Sequence, residues 1–193
     1  MSGPGPWIRT VPPQDADGVL GEAYGWQAQR LGEPAQFTLL ASLYPELVLE
    51  RLRLYKVVDE TPSALSRAER DLVAFSVSRL NDTPHCSSGL RHKLADADVG
   101  ADVVEGLEAR PDRPATGDAR LDALLGYAVK LTVAPGSIVE TDLDALRAVG
   151  LSDLDILDLN NLAAYYNYIN RVANGLGLRT TIPRDHALAS VPR

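Results

Sequence analysis

The stretch LSRAERDLVAFSVSRLNDTPHC, residues 65–86, decides the fold class of this chain. Ser66 and Glu69 form a capping box, in which the serine oxygen accepts an early backbone N–H and the glutamate reaches back to the N-cap amide. A broad apolar face follows at helical spacing, made by Leu72, Val73, Val77 and Leu80. The pattern predicts an amphipathic helix over residues 66–81, packed against a second helix that starts at Pro84.

The rest of the chain shows the same periodicity. Apolar residues at helical spacing predict further helices over residues 19–31, 36–43, 45–58, 84–95, 98–109, 118–133, 140–149 and 153–176. No strand-like alternation persists beyond a few residues, and no Asn-Gly hairpin signal separates β-branched runs. The chain is therefore predicted to be all-α, with an extended Pro/Gly-rich arm over 1–18, a single helical domain over 19–178 and a tail over 179–193.

Composition excludes several classes of function. The 193 residues suffice for one domain with its own core, and the formal net charge of −7 argues against binding to a phosphate backbone. A single cysteine excludes an internal disulfide and the cysteine-rich zinc sites. No window approaches the roughly 18 uninterrupted apolar residues of a membrane helix, and Pro and Gly occupy the place of a signal peptide's apolar segment. We therefore expect a cytoplasmic protein that binds neither nucleic acid nor a membrane.

The single cysteine, Cys86, lies at a position that favours reactivity. Thr83 and Pro84 are typical of an N-cap and a first helical residue, which makes His85 the second residue of the helix and Cys86 the third. Free amides and the positive end of the helix dipole stabilise a thiolate there and lower its reference pKa of about 8.5. A free cysteine is also typical of a buried packing position, so both interpretations remain open.

A base for this thiol is hard to find in the neighbouring sequence. The residues three and four positions after Cys86 are Gly89 and Leu90, which cannot accept a proton. His92 lies six residues on and points away from the thiol. His85 acts as a base only if its side chain bends back. Both histidines are otherwise typical of solvated or hydrogen-bonded surface residues.

Asp71 is the other candidate for proton transfer. It lies in an otherwise apolar run, one turn after Arg67, so an exposed ion pair worth less than about 1 kcal/mol is one interpretation. A carboxylate directed at the start of the next helix is the other. A metal site made of Asp71, His85 and His92 matches no standard ligand spacing, and we expect no metal or other cofactor.

The chain resembles the carboxymuconolactone decarboxylase and alkylhydroperoxidase D superfamily, and more narrowly its uncharacterised peroxidase-related branch. The resemblance is carried by residues 65–86, by LDALLGYAVKLT at 121–132, by the segment 142–177 and by YPELVLERLRLY at 44–55. It covers most of residues 19–178. It implies the alkylhydroperoxidase D-like fold and a family activity that reduces peroxides.

The resemblance also places the family's catalytic positions on this chain. In the family a glutamate precedes a Cys-x-x-Cys pair by twelve residues, and a histidine follows the second cysteine by four. These positions fall on Asp71 for the glutamate, on Thr83 for the first cysteine and on Cys86 for the second, which attacks the peroxide. The relay histidine falls on Leu90, and the preceding site, often histidine in the peroxidase-related branch, is Gly89. The attacking thiol is thus kept, whereas its resolving partner and its base are replaced.

Two functions follow from this degenerate motif. The first is a peroxiredoxin-like antioxidant oxidoreductase, in which a sulfenic acid formed on Cys86 by a small hydroperoxide is cleared by an external thiol reductant. In that reading Asp71 is a distant carboxylate, His85 the substitute base, and Thr83 both caps the helix and donates to the thiolate. The alternative is a non-catalytic member that binds a small apolar ligand or serves as an oligomeric scaffold. Decarboxylase or lactone chemistry is a third reading, supported by the fold alone.

The sequence further predicts a homo-oligomer. A polar stripe of Asn160, Asn167, Arg171 and Asn174 lies on the last helix and is expected to face either solvent or a symmetry-related copy. The apolar faces of LVLERLRLY and AAYYNYI are larger than one small core needs. Superfamily members assemble as homo-oligomers, so the resemblance implies the same for this chain.

Overall fold

The computed structural model describes residues 5–97 and 99–184, apart from the side chain of Arg30. The first four residues of the predicted arm and residues 185–193 of the predicted tail lie outside the described residues. Within the described ranges all regular structure is helical and no strand occurs, which confirms the all-α prediction. None of the described helices combines the length and apolar content needed to cross a bilayer.

The helices follow the predicted ranges closely. Their bounds are α1 Gly18–Leu31, α2 Gln36–Leu39, α3 Pro45–Asp59, α4 Arg67–Leu80, α5 Pro84–Asp96, α6 Ala101–Ala109, α7 Ala119–Val133, α8 Glu140–Ala148 and α9 Asp153–Gly175. Short 3₁₀ turns lie at Pro13–Asp15 and Pro135–Ser137. The largest difference from the prediction is α2, which ends after four residues and continues as turns to residue 43.

The central element is α4, which packs against α5, α6, α7 and α9. The predicted capping box is confirmed, because Ser66 Oγ accepts from the Glu69 amide at 3.2 Å and Glu69 Oε2 accepts from the Ser66 amide at 2.6 Å. Residues 70–78 are all buried, so α4 is enclosed on every side rather than on one apolar face. The polar residues of this run therefore need partners inside the protein.

One such partner is supplied by α9. The guanidinium of Arg70 forms a buried ion pair with Asp158 and also donates to the Val58 carbonyl at the end of α3. Ser63 donates to the same carboxylate from the loop before α4. This network joins three elements in the part of the core where α3, α4 and α9 meet.

Three residues of the polar stripe of α9 form hydrogen bonds within the chain, a role that the sequence analysis did not predict, and contact of the stripe with a symmetry-related copy stays a prediction. Asn160 accepts from a tyrosine hydroxyl of α7 at 2.9 Å, and Asn167 donates to a threonine hydroxyl of α7 at 2.9 Å. Asn174 donates to the backbone carbonyl that follows α4 at 2.7 Å. These three side chains are half-buried because α9 is packed against α4 and α7, and the fourth stripe residue, Arg171, is exposed.

The described part of the N-terminal arm lies along the helical body. The Trp7 amide donates to the Leu176 carbonyl at 2.9 Å, and the indole ring covers Gly177. A Cβ at Gly177 would lie 2.4 Å from that ring, and the residue's φ of +79° is one that glycine adopts without strain. Further along the arm, the Val11 amide donates to Ser42 Oγ at 2.8 Å.

Candidate functional site

A cavity of about 680 Å³ lies between α1, α3, α5 and α9, bordered by residues 33–38 and 180–183. Its volume falls in the range of sites that bury small organic molecules. Aromatic and aliphatic side chains make most of the wall, among them Trp26, Phe37, Tyr55, Leu90, Tyr165 and Tyr166. The arrangement is that of a ligand site with a mainly apolar interior.

Cys86 lies on the wall of this cavity, in the first turn of α5. The side chain is half-buried, and no described residue makes a hydrogen bond to its sulfur. Burial raises the pKa of the thiol to about 12, so the effect of the helix start on the thiolate is outweighed by desolvation. At pH 7 the Cys86 thiol is therefore protonated.

His85 lines the same cavity and is buried. Its Nδ1 lies 3.1 Å from the Thr180 carbonyl oxygen, and since a carbonyl only accepts, the proton of the neutral ring is on Nδ1. Burial lowers the pKa of His85 more than this hydrogen bond raises it. The neutral ring therefore has an unprotonated Nε2, although no hydrogen bond joins His85 to Cys86 among the described residues.

Thr83 does not perform the roles predicted for it. It occupies the N-cap position of α5, but its side chain makes no capping hydrogen bond and does not line the cavity. Its hydroxyl donates to the Asn81 carbonyl at 3.4 Å and accepts from Asn174 Nδ2 at 3.0 Å. The capping prediction was wrong because α9 engages this hydroxyl, whose proton is directed at Asn81 rather than at Cys86.

Asp71 is buried, with 4% of its surface exposed, and lies outside the cavity lining. The i,i+4 ion pair with Arg67 is confirmed: the guanidinium donates to both carboxylate oxygens, at 3.0 and 3.1 Å. The interpretation of an exposed pair was wrong for the carboxylate, because α4 is enclosed by other helices. Tyr166 lines the cavity, and its pKa is raised by burial first and then by neighbouring groups that include Asp71 and Cys86.

The position of the missing relay histidine, Leu90, is part of the cavity wall. Leu90 is buried, follows Cys86 by four residues and lines the same cavity. A side chain at this position thus shares a helix face with the thiol. Gly89 faces the C-terminal segment, since a Cβ there would lie 2.9 Å from Ile182 Cδ1.

The C-terminal segment, residues 180–183, closes the cavity on the side of α5. The Ile182 amide donates to Ser88 Oγ at 2.8 Å, and His92 Nε2 donates to the Ile182 carbonyl at 2.9 Å. Together with the contact between His85 and Thr180, these bonds attach the segment to one face of α5. The sequence assigned this segment to a tail and missed its part in the site. The available signal was the polar spacing of residues 85, 88 and 92 on one face of a helix.

Arg51 is a second residue of the site that sequence reasoning missed. It lies on α3, lines the cavity and is 4% exposed. Its guanidinium stacks 4.2 Å from the centroid of the Phe37 ring, and Nη2 donates to the Phe37 carbonyl at 3.0 Å. The sequence assigned LVLERLRLY to an assembly surface. The signal for a site was the spacing of Arg51 and Tyr55, which are four residues apart and share a helix face.

Tyrosine rings connect Arg51 with the thiol. The ring of Tyr165 lies 5.8 Å from that of Tyr55 and 6.0 Å from that of Tyr166 between centroids. Burial raises the pKa of Tyr165, and the positive charge of Arg51 partly offsets that effect, while Cys86 adds to it. Tyr165 therefore lies close enough to interact electrostatically with both Arg51 and Cys86.

The residues considered for a metal site are not brought together. Asp71 is bound by Arg67, and His92 is bound to the C-terminal segment. In the part of the chain that the structure describes, no group of three or more His, Cys, Asp or Glu side chains is placed to hold a metal ion.

Two solved structures of peroxidase-related proteins are similar to this chain. An alkylhydroperoxidase AhpD core protein, an uncharacterised peroxidase-related protein from Ralstonia eutropha JMP134, has a TM-score of 0.82 at 19% identity, with 100% of each chain covered. An uncharacterised peroxidase-related protein from Silicibacter sp. TM1040 has a TM-score of 0.75 at 25% identity, covering 91% of this chain and 93% of that one.

The debrominase Bmp8 is also similar. Its apo form has a TM-score of 0.73 at 17% identity, covering 96% of this chain and 98% of that one. A cysteine-to-alanine variant of Bmp8 was solved in complex with 2,3,4-tribromopyrrole. No protein-family model matches the chain, and no curated protein matches it either. The chain therefore has the alkylhydroperoxidase D-like fold of the peroxidase-related proteins to which it is similar.

Proposed function

We propose that this protein binds a small, largely apolar organic molecule in the cavity, and that Cys86 contacts the bound molecule. The observation that carries the proposal is the cavity of about 680 Å³ with its aromatic wall. A ligand that fills an apolar space of this size removes apolar surface from water and so contributes hydrophobic free energy. The complex of the Bmp8 variant with a bromopyrrole supports the same kind of ligand for this fold.

The state of the thiol favours binding over peroxide reduction. A thiolate is the nucleophile in peroxide reduction, and burial keeps the pKa of Cys86 at about 12. The position that would supply a base is Leu90, and the position that would supply a resolving cysteine is Thr83. The protonated sulfur is a soft, weakly polar surface, which suits contact with an apolar or aromatic ligand.

Ligand binding can be tested with a pair of substitutions on α3. Leu52 is half-buried and lines the cavity, whereas Leu54 is exposed and does not. A neutral aromatic probe, 2-naphthamide, is titrated into each protein and followed by calorimetry. We expect the probe to bind the wild-type protein. Leu52→Trp should lower its affinity by at least about tenfold, because the indole fills the cavity. Leu54→Trp should leave the affinity unchanged. Equal affinities in the two variants would place the probe elsewhere and count against the proposal.

One-cysteine reduction of an organic hydroperoxide is the second candidate function. It is favoured by the presence of Cys86 and the unprotonated Nε2 of His85 on the wall of one cavity. The sulfur attacks the terminal peroxide oxygen, the O–O bond breaks, and the thiol proton passes to the leaving alkoxide, which gives an alcohol and a sulfenic acid on Cys86. Two molecules of an external thiol then restore the cysteine and form one disulfide and water.

The two candidates are separated by a peroxide-consumption assay with cumene hydroperoxide and excess thiol. The second candidate requires consumption that is abolished in Cys86→Ser, together with a mass increase of one oxygen on Cys86 when the reductant is omitted. Binding without chemistry requires that wild-type and Cys86→Ser proteins consume the peroxide at the same background rate.

We further propose that the chain assembles as a homo-oligomer. Exposed apolar side chains lie on α3 and α9, which pack side by side: Leu47, Leu54, Val57, Leu154, Leu157 and Tyr168. A second copy of the chain is the partner that such a surface fits, because symmetric association buries the same patch on both subunits.

A further inference from the structure

Among the residues that the structure describes, the charge of Arg51 has no acidic counterpart. The side chain is 4% exposed, and no carboxylate oxygen of the described residues lies within ion-pair distance of its guanidinium. Of the arginines whose side chains the structure describes, Arg70 is also buried, and it has Asp158 as its partner. The difference sets Arg51 apart, because a buried cation is costly unless it is paired.

The contacts that Arg51 does make leave its charge uncompensated. Nη2 donates to the carbonyl oxygens of Phe37 and Thr38, at 3.0 and 3.4 Å, and the Phe37 ring lies against the guanidinium face. Carbonyl dipoles and an aromatic quadrupole stabilise a cation but do not neutralise it. Nε and Nη1 make no hydrogen bond to any described residue. Arg51 therefore retains both a net charge and free donors at the cavity wall.

The side chains around the free N–H groups of Arg51 indicate which kind of anion the cavity can bind. Next to Arg51 the wall consists of the rings of Phe37, Tyr55 and Tyr165, so a ligand that reaches the guanidinium lies against aromatic surface. An inorganic anion would leave most of the cavity unfilled. A planar carboxylate matches the fork of a guanidinium, and an attached aromatic ring matches the wall.

We infer that the cavity is built for an aromatic carboxylate, with the carboxylate on Arg51 and the ring directed along the tyrosines toward Cys86. The inference rests on the proposed binding function and names the class of ligand. Four other charged side chains belong to the cavity lining. Glu33, Lys56 and Glu60 are exposed to solvent, where their charges are screened, and Lys93 is half-buried. Among the charged residues of the lining, Arg51 is the one that water reaches least, so its contribution to ligand selection is the largest.

The test compares two probes of the same shape. Binding of 2-naphthoate and of neutral 2-naphthamide to the full chain is measured by calorimetry at pH 7.5. We expect the wild-type protein to bind naphthoate at least about tenfold more tightly, as a hydrogen bond to a charged group provides. Naphthoate should also slow alkylation of Cys86, which locates it in the cavity.

Variants of Arg51 assign this preference to one side chain. Arg51→Met should weaken naphthoate binding about tenfold or more and change naphthamide binding by less than about threefold, while Arg51→Lys keeps part of the preference. Arg53→Met, on the exposed side of the same helix, is the matched control and should change neither. If Arg51→Met does not fold, the inference is still tested by the ratio of naphthoate to naphthamide affinity in the wild-type protein and by the change of that ratio in Arg51→Lys.

The outcomes distinguish this inference from the function on which it rests. Equal binding of both probes to the wild-type protein, or unchanged naphthoate binding in Arg51→Met, overturns the carboxylate assignment and leaves the binding function in place. Binding of neither probe at millimolar concentration overturns both.

Discussion

Nδ1 of His85 lies 3.1 Å from the carbonyl oxygen of Thr180, a contact between residues 95 positions apart. It joins the first turn of α5, which carries Cys86, to the segment that closes the cavity. The hydrogen bond fixes the proton of the neutral ring on Nδ1, and burial lowers the pKa of the imidazole. The neutral ring is thus part of the folded structure at pH 7.

Acid should destabilise the protein partly through this histidine. Because the pKa of His85 is lower in the folded state than its ordinary value of 6.5, the unfolded state takes up the proton first as the pH falls below 6.5. Stability from this group is therefore fully present above pH 6.5 and is lost below it, by at most about 1.4 kcal/mol per pH unit. Denaturant unfolding at pH 7.5 and 5.5 should show a smaller loss in His85→Gln than in the wild type. Equal losses would contradict the assignment.

The thiol should alkylate as a buried group. With a pKa of about 12 in the folded state, the rate of reaction of Cys86 with iodoacetamide should still rise about tenfold per pH unit between pH 9 and 10.5. In denaturant the pKa returns to about 8.5, and the rate should level off in the same range. The unfolded protein is thus the matched control. A plateau near pH 9 in the folded protein would mean that the site is open to water.

Restoring a base should help if the cavity supports peroxide chemistry. Leu90→His places an imidazole on the helix face of Cys86, where it can accept the thiol proton. We expect consumption of cumene hydroperoxide to rise by about tenfold or more over the wild type. Leu90→Asn introduces polarity without a base of suitable pKa and controls for altered packing. If Leu90→His gains no activity while it remains folded, the cavity does not support base-assisted peroxide chemistry, and the binding function takes the lead.

The buried ion pair between Arg70 and Asp158 should be sensitive to loss of one partner. Arg70→Met leaves an unpaired carboxylate in the core and should lower the free energy of unfolding by about 3–5 kcal/mol. Arg147→Met breaks exposed ion pairs of α8 and should leave stability unchanged within error. Chemical denaturation measures both variants. A small effect at Arg70 would show that water reaches the pair.

Association should depend on the exposed apolar surface of α3. Leu54 and Val57, which are 49% and 69% exposed, should be buried in a homo-oligomer. The double substitution Leu54→Glu, Val57→Glu should convert the assembly to monomers, as measured by light scattering at micromolar concentration. Val133→Glu, at the end of α7, is an equally exposed control and should leave the mass unchanged. A wild-type monomer at that concentration would overturn the assembly proposal.

The fold was predictable because its signals are local. The capping box of Ser66 and Glu69, the proline at the start of α5 and the apolar periodicity of α7 act over a few residues, and each element appears where its own sequence specifies it. The failure at α2 has the same origin, since a short segment ending in turns carries too little periodicity to define its length.

The site was predictable only in part, because its chemistry depends on distant residues. The position of Cys86 in the first turn of α5 came from local signals, but its pKa is set by helices and segments packed around it. Thr83 was expected to cap a helix, and an asparagine of α9 engages its hydroxyl instead. Arg51 lies in an amphipathic helix, and spacing alone reveals neither its burial nor the absence of an acidic partner within the described ranges.

The hydrogen bonds that attach residues 180–182 to α5 have a further consequence: the labelling rate of Cys86 can measure local unfolding of this segment. While the segment is in place, it covers the side of the cavity where Cys86 lies. Among the described residues, a few hydrogen bonds attach the segment to α5, and its detachment leaves α4 and its neighbours intact, so it costs less than global unfolding. Labelling of Cys86 at neutral pH beyond the rate of the folded thiol therefore reports how often this edge of the protein opens, as amide exchange does for backbone groups, and ligands that enter by the same route should do so at the opening rate.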